Sequence, residues 1–523
     1  MARTVSRQAR LLRRGVPALL VALLVGTTVA LVTLSGDRRA HAEKPHRRRE
    51  GVVTTTMSPA TTSTTSAPVS VPSWRVAWGS AMAWGYGIAE NATVRELTRV
   101  GIGGRAVRIR ISNAFGNAPL VVGAATVALD TSGPYVAAGT LHQVTFAGQP
   151  SVTIPVGQVL TSDTVPIQVH AMQVLAVSLY VVRPDLVSLN PSRPDGPKVS
   201  YFTPNGGGDA VDAPGAAPFS AASPFPRWVD AVDVLTSRAA GSIVVVGDSI
   251  TAGFNTSLTW THVLQNRIDL LPADERRAVV NEGISANTLI SVPGDFAKVG
   301  GGPPGLQRMD VDALTQDGVS EVVIFLGTND LYFGATADQV IAGLQQAIAM
   351  VHQAGLRVIG VTLLPRKGSV VDGRPWTETM ETYREQVNQW IRTSGAFDAV
   401  LDFAAAVRDA YNGACVPTAM FPPYDSGDHL HPNPAGQTAM ADSVNTTLLD
   451  LPQAPTVPLL VGVTPTPGCT GPTGVPTPPP LAAPVYGTTT TTTSAASTSP
   501  GPGDVASQGT SSGSTGANQP GRP

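Results

Sequence analysis

Ser242-Ile243-Val244-Val245-Val246-Gly247-Asp248-Ser249-Ile250-Thr251 reads as a short β-branched run that ends in a Gly-Asp-Ser turn. A run of this kind, bounded by glycine, has the composition of a buried strand. A serine on the turn beyond it sits where an α/β enzyme holds a hydroxyl, at the carboxyl edge of a parallel sheet. That position makes Ser249 a candidate. It becomes a nucleophile where the rest of the chain supplies a base, an orienting acid and donors for an oxyanion.

The same period continues downstream. Strand-like runs at 242–246, 278–281, 321–326, 357–363 and 399–403 alternate with amphipathic stretches. The clearest helix is predicted over 336–353, with Val340, Leu344, Ala347, Ile348 and Val351 on one stripe and Gly355 as its stop. A second is predicted over 378–391. A third begins at Pro434, where proline suits a first turn, and runs to about residue 449. Strand–helix alternation predicts a doubly wound parallel sheet with ligands at the carboxyl ends of its strands.

Upstream, from Trp74 to about residue 234, the pattern is β. Ala106-Val107-Arg108-Ile109-Arg110-Ile111-Ser112 alternates apolar and polar, as a strand with one wet face should. Further strands are predicted at 120–129, 143–146, 151–154, 165–169 and 174–181, separated by Gly, Pro, Asn and Asp. Their spacing predicts an all-β sandwich of jelly-roll-like form. Its outer face is a candidate for carbohydrate binding, although a solvated sheet face is the commoner reason for such polarity.

The two ends of the chain differ from this middle. Arg3, Arg7, Arg10, Arg13 and Arg14 precede an apolar run from about Val16 to Leu34, and Ala40-His41-Ala42 fits a small-x-small cleavage site. The run is also near the lower limit for a membrane span, so an uncleaved amino-terminal anchor is the alternative to a cleaved signal peptide. Both place the folded part outside the cell or on its envelope. Thr/Ser/Pro-rich sequence over 43–72, and again over 452–523, has too few large apolar side chains to offset ordering entropy and reads as disordered linker and tail. The predicted segments are therefore 1–42, 43–72, a β domain at 73–237, an α/β domain at 238–451, and the tail.

Composition excludes several classes. At 523 residues and 42% hydrophobic content the chain can build large cores, and 35 Lys+Arg against 37 Asp+Glu (net −2) leaves no electrostatic case for nucleic acid. Its two cysteines, Cys415 and Cys469, are too few for a metal cluster; in an oxidising compartment one bridge between them is expected. With no His-Glu-x-x-His and no Gly-Lys-Ser/Thr loop, neither a metal nor another cofactor is expected.

Of the eight histidines, two lie in the export region, two in the β domain and two within predicted helices. His429 and His431 remain, in the polar turn-rich loop Asp425-Ser426-Gly427-Asp428-His429-Leu430-His431-Pro432-Asn433-Pro434. A carboxylate three residues before an imidazole on a tight loop can orient the ring and stabilise its protonated form. Asp428 and His431 have that spacing. His429 does not, and is assigned a substrate-lining or structural role. For the oxyanion, Asn329 projects from the strand end Gly327-Thr328-Asn329-Asp330, and Gly283 follows the strand 278–281 with an approachable backbone N–H. The N–H of Ser249 makes a third donor.

Singly these signals are common in unrelated chains. Together and in this order, Gly247-Asp248-Ser249-Ile250, Gly283, Gly327-Thr328-Asn329-Asp330 and Asp428-x-x-His431 resemble the four blocks of the SGNH branch of the GDSL esterase/lipase family, over about residues 241–449. The first block has Ser-Ile where the family name has Ser-Leu, a conservative difference. The resemblance implies a flavodoxin-like sheet, Ser249 as nucleophile, His431 as base, Asp428 as its acid, and an oxyanion hole of Ser249 N–H, Gly283 N–H and the Asn329 side chain. The β domain, with Trp78-Gly79-Ser80 and the stretch from Val107 to Gly116, is similar to one that precedes the hydrolase in secreted actinobacterial members.

The implied activity is hydrolysis of a carboxylic ester through an acyl-serine. An acylated glycan or a lipid is the expected substrate, with O-deacetylation of a polysaccharide favoured by the export signal and the β domain. A lipid or small-molecule carboxylesterase, an acyltransferase using the same residues, and an envelope-anchored glycan-binding protein are the alternatives. No long apolar lid is evident. The glycine-rich loop 290–305 is expected to border the site, and Trp376 and Tyr424 are candidates to line it, although isolated aromatics are more often packing residues.

Overall fold

The run 242–246 forms an interior strand of a parallel sheet, flanked on both sides. The computed structural model describes residues 71–83, 88–183, 185–186, 200–237, 239–295, 301–408 and 418–456. The export segment, nearly all of both low-complexity ends, Cys415 and Cys469 lie outside the described residues.

The first part is all-β. In chain order its main strands are β1 (Ser73–Gly79), β2 (Ala92–Arg99), β3 (Val107–Ser112), β4 (Leu120–Ser132), β5 (Val159–Thr161), β6 (Val174–Val181), β7 (Ser200–Phe202) and β8 (Val229–Thr236). One antiparallel sheet has the order β1-β8-β3-β5, and a second runs β7-β2-β6-β4 with shorter strands at its margins. Inward side chains such as Val76, Ile109, Val127, Val177 and Val232 form the core between them. The expected strand at 165–169 is reduced to two isolated bridges, Val107 with Val165 and Gly104 with Val169.

The second part is the predicted α/β layer. Strands β9 (Gly241–Gly247), β10 (Arg277–Gly283), β11 (Val319–Phe325), β12 (Arg357–Val361) and β13 (Ala399–Leu401) are all parallel, in the order β10-β9-β11-β12-β13. This is the flavodoxin-like order, with a topological switch beside the first strand of the domain. Strand side chains alternate between faces. Val244, Val246, Val322, Ile324 and Val358 therefore pack on one side with helix α5 (Ala337–Gln353) and helix α6 (Glu378–Thr393). Ile243, Val245, Val323, Phe325, Ile359 and Val361 pack on the other with helices α2 (Trp260–Ile268), α7 (Phe403–Val407) and α8 (Pro434–Ser443). Burial on both faces explains why these strands read as unbroken apolar runs.

Helix α5 starts at a full capping box: Thr336 accepts from Gln339 N–H, and the Gln339 side chain accepts from Thr336 N–H. The predicted third helix is shorter than expected. It ends at Ser443 with Val444 extended, and Asn445 then caps a separate 3₁₀ turn at Thr446–Leu449.

The two parts share one core. Ala278 and Val280 of β10 belong to the same cluster as Val76 and Val232. Backbone and side-chain bonds cross between them: Val76 N–H to Asp317 O at 2.7 Å, Ser242 Oγ to Val76 O at 2.6 Å, and Gln265 Nε2 to Gly101 O at 3.1 Å. Buried Arg110 pairs with Asp230 at 3.0 Å and donates to Val311 O at 3.0 Å.

Candidate active site

The carboxyl ends of β9, β10 and β11 meet three loops around one cavity. At the end of β9, Asp248 caps the short helix α1 (Ser249–Ala252), its Oδ1 accepting from Ile250 N–H at 2.9 Å. Ser249 is thus the first residue of that turn, and its own N–H is one of the groups a helix start leaves without an intrahelical partner. Its Oγ lies 2.8 Å from His431 Nε2.

The loop before α8 builds the other half. Asp428 Oδ2 lies 2.6 Å from His431 Nδ1, while Oδ1 accepts from the backbone N–H groups of Leu430 (3.0 Å) and His431 (2.8 Å). Asn255 Nδ2 adds a bond to Oδ2 at 3.2 Å. Partial burial acts to raise the Asp428 carboxyl, but the His431 imidazole and the two backbone donors outweigh it and hold the group well below the usual carboxylate range. The ring of Phe254 sits 4.8 Å from that of His431. Asn433 holds the loop by donating to Pro423 O and Asp425 O while capping α8. Gln437 on α8 ties this helix to the serine turn through Ile250 O at 3.2 Å and Trp260 N–H at 2.8 Å.

At the end of β11, Gly327 takes φ 127°, open to glycine alone at little cost, and turns the chain into helix α4 (Thr328–Tyr332). Asn329 Nδ2 donates to Asn287 O at 3.0 Å, which fixes the amide and leaves its second hydrogen for the cavity. Asp330 points away and accepts from Leu289 N–H and Ile290 N–H. None of the described residues of the loop 290–305, expected to border the site, lines the cavity.

The cavity measures about 240 Å³ and is lined by Ser249, Phe254, Ser285, Ala286, Asn329, Tyr332, Phe333, Arg366, Val370, Val371, Asp428, Leu430 and His431. A cleft of about 440 Å³ between 102–105, 168–171 and Arg276 contains none of the candidate catalytic residues.

Four predicted positions, Ser249, Asn329, Asp428 and His431, therefore converge. Gly283 does not. Its N–H donates to Asn281 Oδ1 at 3.0 Å, and a Cβ there would lie 2.5 Å from Ala252 N. Glycine is needed at 283 so that β10 can pack against α1, beneath the serine. Three residues on, Ala286 lines the cavity with φ 59°, and its N–H donates to no group among the described residues. Nothing in the sequence marks this position, because a left-handed conformation at a non-glycine residue is imposed by its surroundings. His429 pairs with Asp425 at 2.7 Å, over Gly368 and outside the cavity. Trp376 donates to Glu381 at 2.9 Å and Tyr424 packs on Phe421; both are buried packing residues.

The floor beneath the serine is unusually acidic for a buried region. Burial, with the charge of Asp330 adding to it, raises Asp248 to about 7, against the Ile250 N–H and the Arg366 and Arg308 charges. Burial likewise lifts Asp330 to about 6. A folded-state value above the unfolded one (about 3.9) means that the folded protein binds the extra proton between those values, so stability falls as pH rises. Asp248→Asn keeps an acceptor for Ile250 N–H and removes this titration. The variant is expected to lose less stability than wild type between about pH 4 and pH 7, read as the urea midpoint at several pH values. Parallel losses would show that Asp248 does not titrate in this window.

Among the described residues no helix is long and apolar enough to cross a membrane, and no group of three or more His, Cys, Asp and Glu side chains is placed to hold a metal ion.

A parallel α/β sheet with a serine, a histidine and an aspartate in hydrogen-bonded sequence at its carboxyl edge is the architecture of an ester-cleaving serine hydrolase. Residues 245–439 match the family model of the GDSL-like lipase/acylhydrolases, and this part of the chain belongs to that family. Solved structures similar to the chain include the M. smegmatis aryl esterase (20% identity, covering 40% of this chain and all of the other, TM-score 0.32). Two others are Axe2, an acetylxylan esterase from Geobacillus stearothermophilus (20%, 40% and 94%, 0.30), and Est24, a carbohydrate acetylesterase from Sinorhizobium meliloti (18%, 38% and 94%, 0.29). No curated protein matches the chain.

Proposed function

We propose that the chain is an extracellular or envelope-held esterase that removes short acyl groups, acetyl first among them, from a polysaccharide. The observation that carries the chemistry is the Ser249–His431–Asp428 relay, with bonds of 2.8 and 2.6 Å, opening on a 240 Å³ cavity. Ser249 Oγ attacks the ester carbonyl as His431 Nε2 takes its proton. His431 then returns the proton to the leaving alkoxide, giving the free alcohol and acyl-Ser249. Water, deprotonated by the same imidazole, releases the acid. Asp428 keeps Nδ1–H of His431 bonded and so holds Nε2 facing the serine. The backbone N–H groups of Ser249 and Ala286 and the Asn329 amide receive the developing oxyanion, Ala286 taking the place expected of Gly283.

The cavity is below the usual size of drug-like sites, which supports a short acyl group over a fatty chain. Location and glycan substrate rest on the basic and apolar leader and on the β domain. The test is a panel of acetylated glycans and p-nitrophenyl esters of rising chain length. Highest kcat/KM on acetyl esters and acetate release from a glycan support the reading; a preference for chains beyond about eight carbons overturns it.

Asn329→Ala is expected to lower kcat by about 10²–10³, the typical effect of losing one oxyanion donor, with a smaller change in KM. An unchanged kcat would remove Asn329 from the oxyanion hole. Folding should survive, since the substitution costs a single bond to Asn287 O.

A further inference from the structure

Arg366 is a charged side chain in the cavity that the proposed mechanism does not use. It is 1% exposed, yet its guanidinium lines the same space as Ser249 and His431. Nη1 donates to Thr328 O (3.3 Å) and Thr328 Oγ1 (3.1 Å), and Nε reaches Ser369 Oγ at 3.4 Å. The group lies 4.5 Å from the centre of the Trp376 ring and 5.3 Å from that of Tyr332. Among the described residues no carboxylate forms an ion pair with it, and Nη2 has no partner.

An unpaired buried cation is costly unless something of opposite charge visits it. Asp248 and Asp428 attract Arg366 through space, but neither forms an ion pair with it. Asp428 is committed to His431, Asn255 and two backbone donors. Asp248 is fully buried, its Oδ1 bound to Ile250 N–H. Burial lowers Arg366 to about 10, so it stays protonated at neutral pH. Apart from Ser285, Tyr332 and the catalytic groups, the walls are apolar: Phe254, Phe333, Val370, Val371 and Leu430. An apolar pocket with one planar cation on its wall discriminates by charge.

We propose that Arg366 forms an anion subsite of the catalytic cavity and binds a carboxylate carried by the ester substrate. This rests on Ser249 acting as the nucleophile. The carboxylate has two possible sources, a dicarboxylic acyl group or an acidic sugar ring, and the same guanidinium serves both. Arg366 also holds Thr328, the neighbour of Asn329, so a purely structural role would slow all substrates alike.

The test compares two matched pairs on the full chain: p-nitrophenyl hemisuccinate against p-nitrophenyl valerate, and acetate release from per-O-acetylated glucuronic acid against per-O-acetylated glucose. Wild type is expected to favour the anionic member of one pair, and which pair does so identifies the source. In Arg366→Met the ratio of kcat/KM within that pair should fall roughly tenfold to a hundredfold, the range of a charge-assisted bond, and Arg366→Lys should restore part of it. No anionic preference in wild type, or a ratio unchanged in Arg366→Met, overturns the subsite. Should Arg366→Met fail to fold, inhibition of wild-type p-nitrophenyl acetate hydrolysis decides. Competition by glutarate but not by glutaramide supports the subsite, and equal inhibition overturns it. Ser249→Ala, assayed on p-nitrophenyl acetate, separates the two layers: retained turnover overturns the nucleophile and the subsite together. Its loss, with no charge preference in wild type, overturns the subsite alone.

Discussion

Ser249→Ala is expected to reduce turnover of p-nitrophenyl acetate by a factor on the order of 10⁴–10⁶ while leaving the fold intact. The reasoning is local. The substitution deletes one oxygen whose described partner is His431 Nε2 at 2.8 Å, on a turn otherwise held by Asp248, Gln437 and backbone bonds. No large buried volume is removed, so stability should move by no more than about 1 kcal/mol. What is lost is covalent catalysis, and with it the use of the imidazole. His431→Ala should therefore cost a similar factor, and the double variant little more, because residues acting as one unit are not additive. Stopped assays of p-nitrophenolate release and a urea melt together check this. Turnover within tenfold of wild type in the folded Ser249→Ala variant would exclude Ser249 as the nucleophile.

Arg308→Met should be the most destabilising single change among those argued here, by about 3–5 kcal/mol, the usual cost of removing one partner of a buried ion pair. Arg308, on helix α3 (Gly305–Met309), is fully buried behind the active site. Its donors reach Asp312 Oδ2 (2.7 Å), Glu282 O (2.7 Å), Gly247 O (2.9 Å) and Asn287 Oδ1 (3.1 Å). The last three acceptors stand at the ends of β9 and β10 and on the segment that carries Ala286. One guanidinium thus clamps the serine turn to the proposed oxyanion side. Its loss leaves Asp312 unpaired beside Glu282, two carboxyls that burial already raises above their ordinary values. Methionine fills most of the volume, so the effect should be electrostatic. A second change, Asp312→Leu, should then recover part of the stability, which a cavity effect would not allow. Urea unfolding measures both. A loss under 1 kcal/mol for Arg308→Met would show that the clamp is redundant.

Much of the site was legible because its key relations are short in sequence. Asp428 and His431 are three residues apart, and the same carboxylate that orients the ring also accepts the backbone N–H of His431. Gly327 and Asn329 share one turn. The missing parts depend on long-range packing. Gly283 looked like a donor because it follows a strand, but its lack of a side chain serves the contact with α1. Ala286, Arg308 and Arg366 carry no motif; their roles follow from segments brought together by the fold, as Arg308 meets Gly247 and Arg366 meets Thr328.

The sequence alone determined the fold class, since strands buried on both faces must be continuous apolar runs and their helices must show a 3.6-residue period. It also determined the class of chemistry, through motifs whose geometry is local. Tertiary structure decided which backbone N–H faces the cavity, how large that cavity is, and where its one buried guanidinium points. It also merged the β domain and the α/β domain around one core, across Val76, Ala278 and Val280. The physical reason is the same in each case. Local periodicity reports which face of an element is buried, but not against what, and the identity of the neighbour is what sets a charge, a free donor or the wall of a pocket.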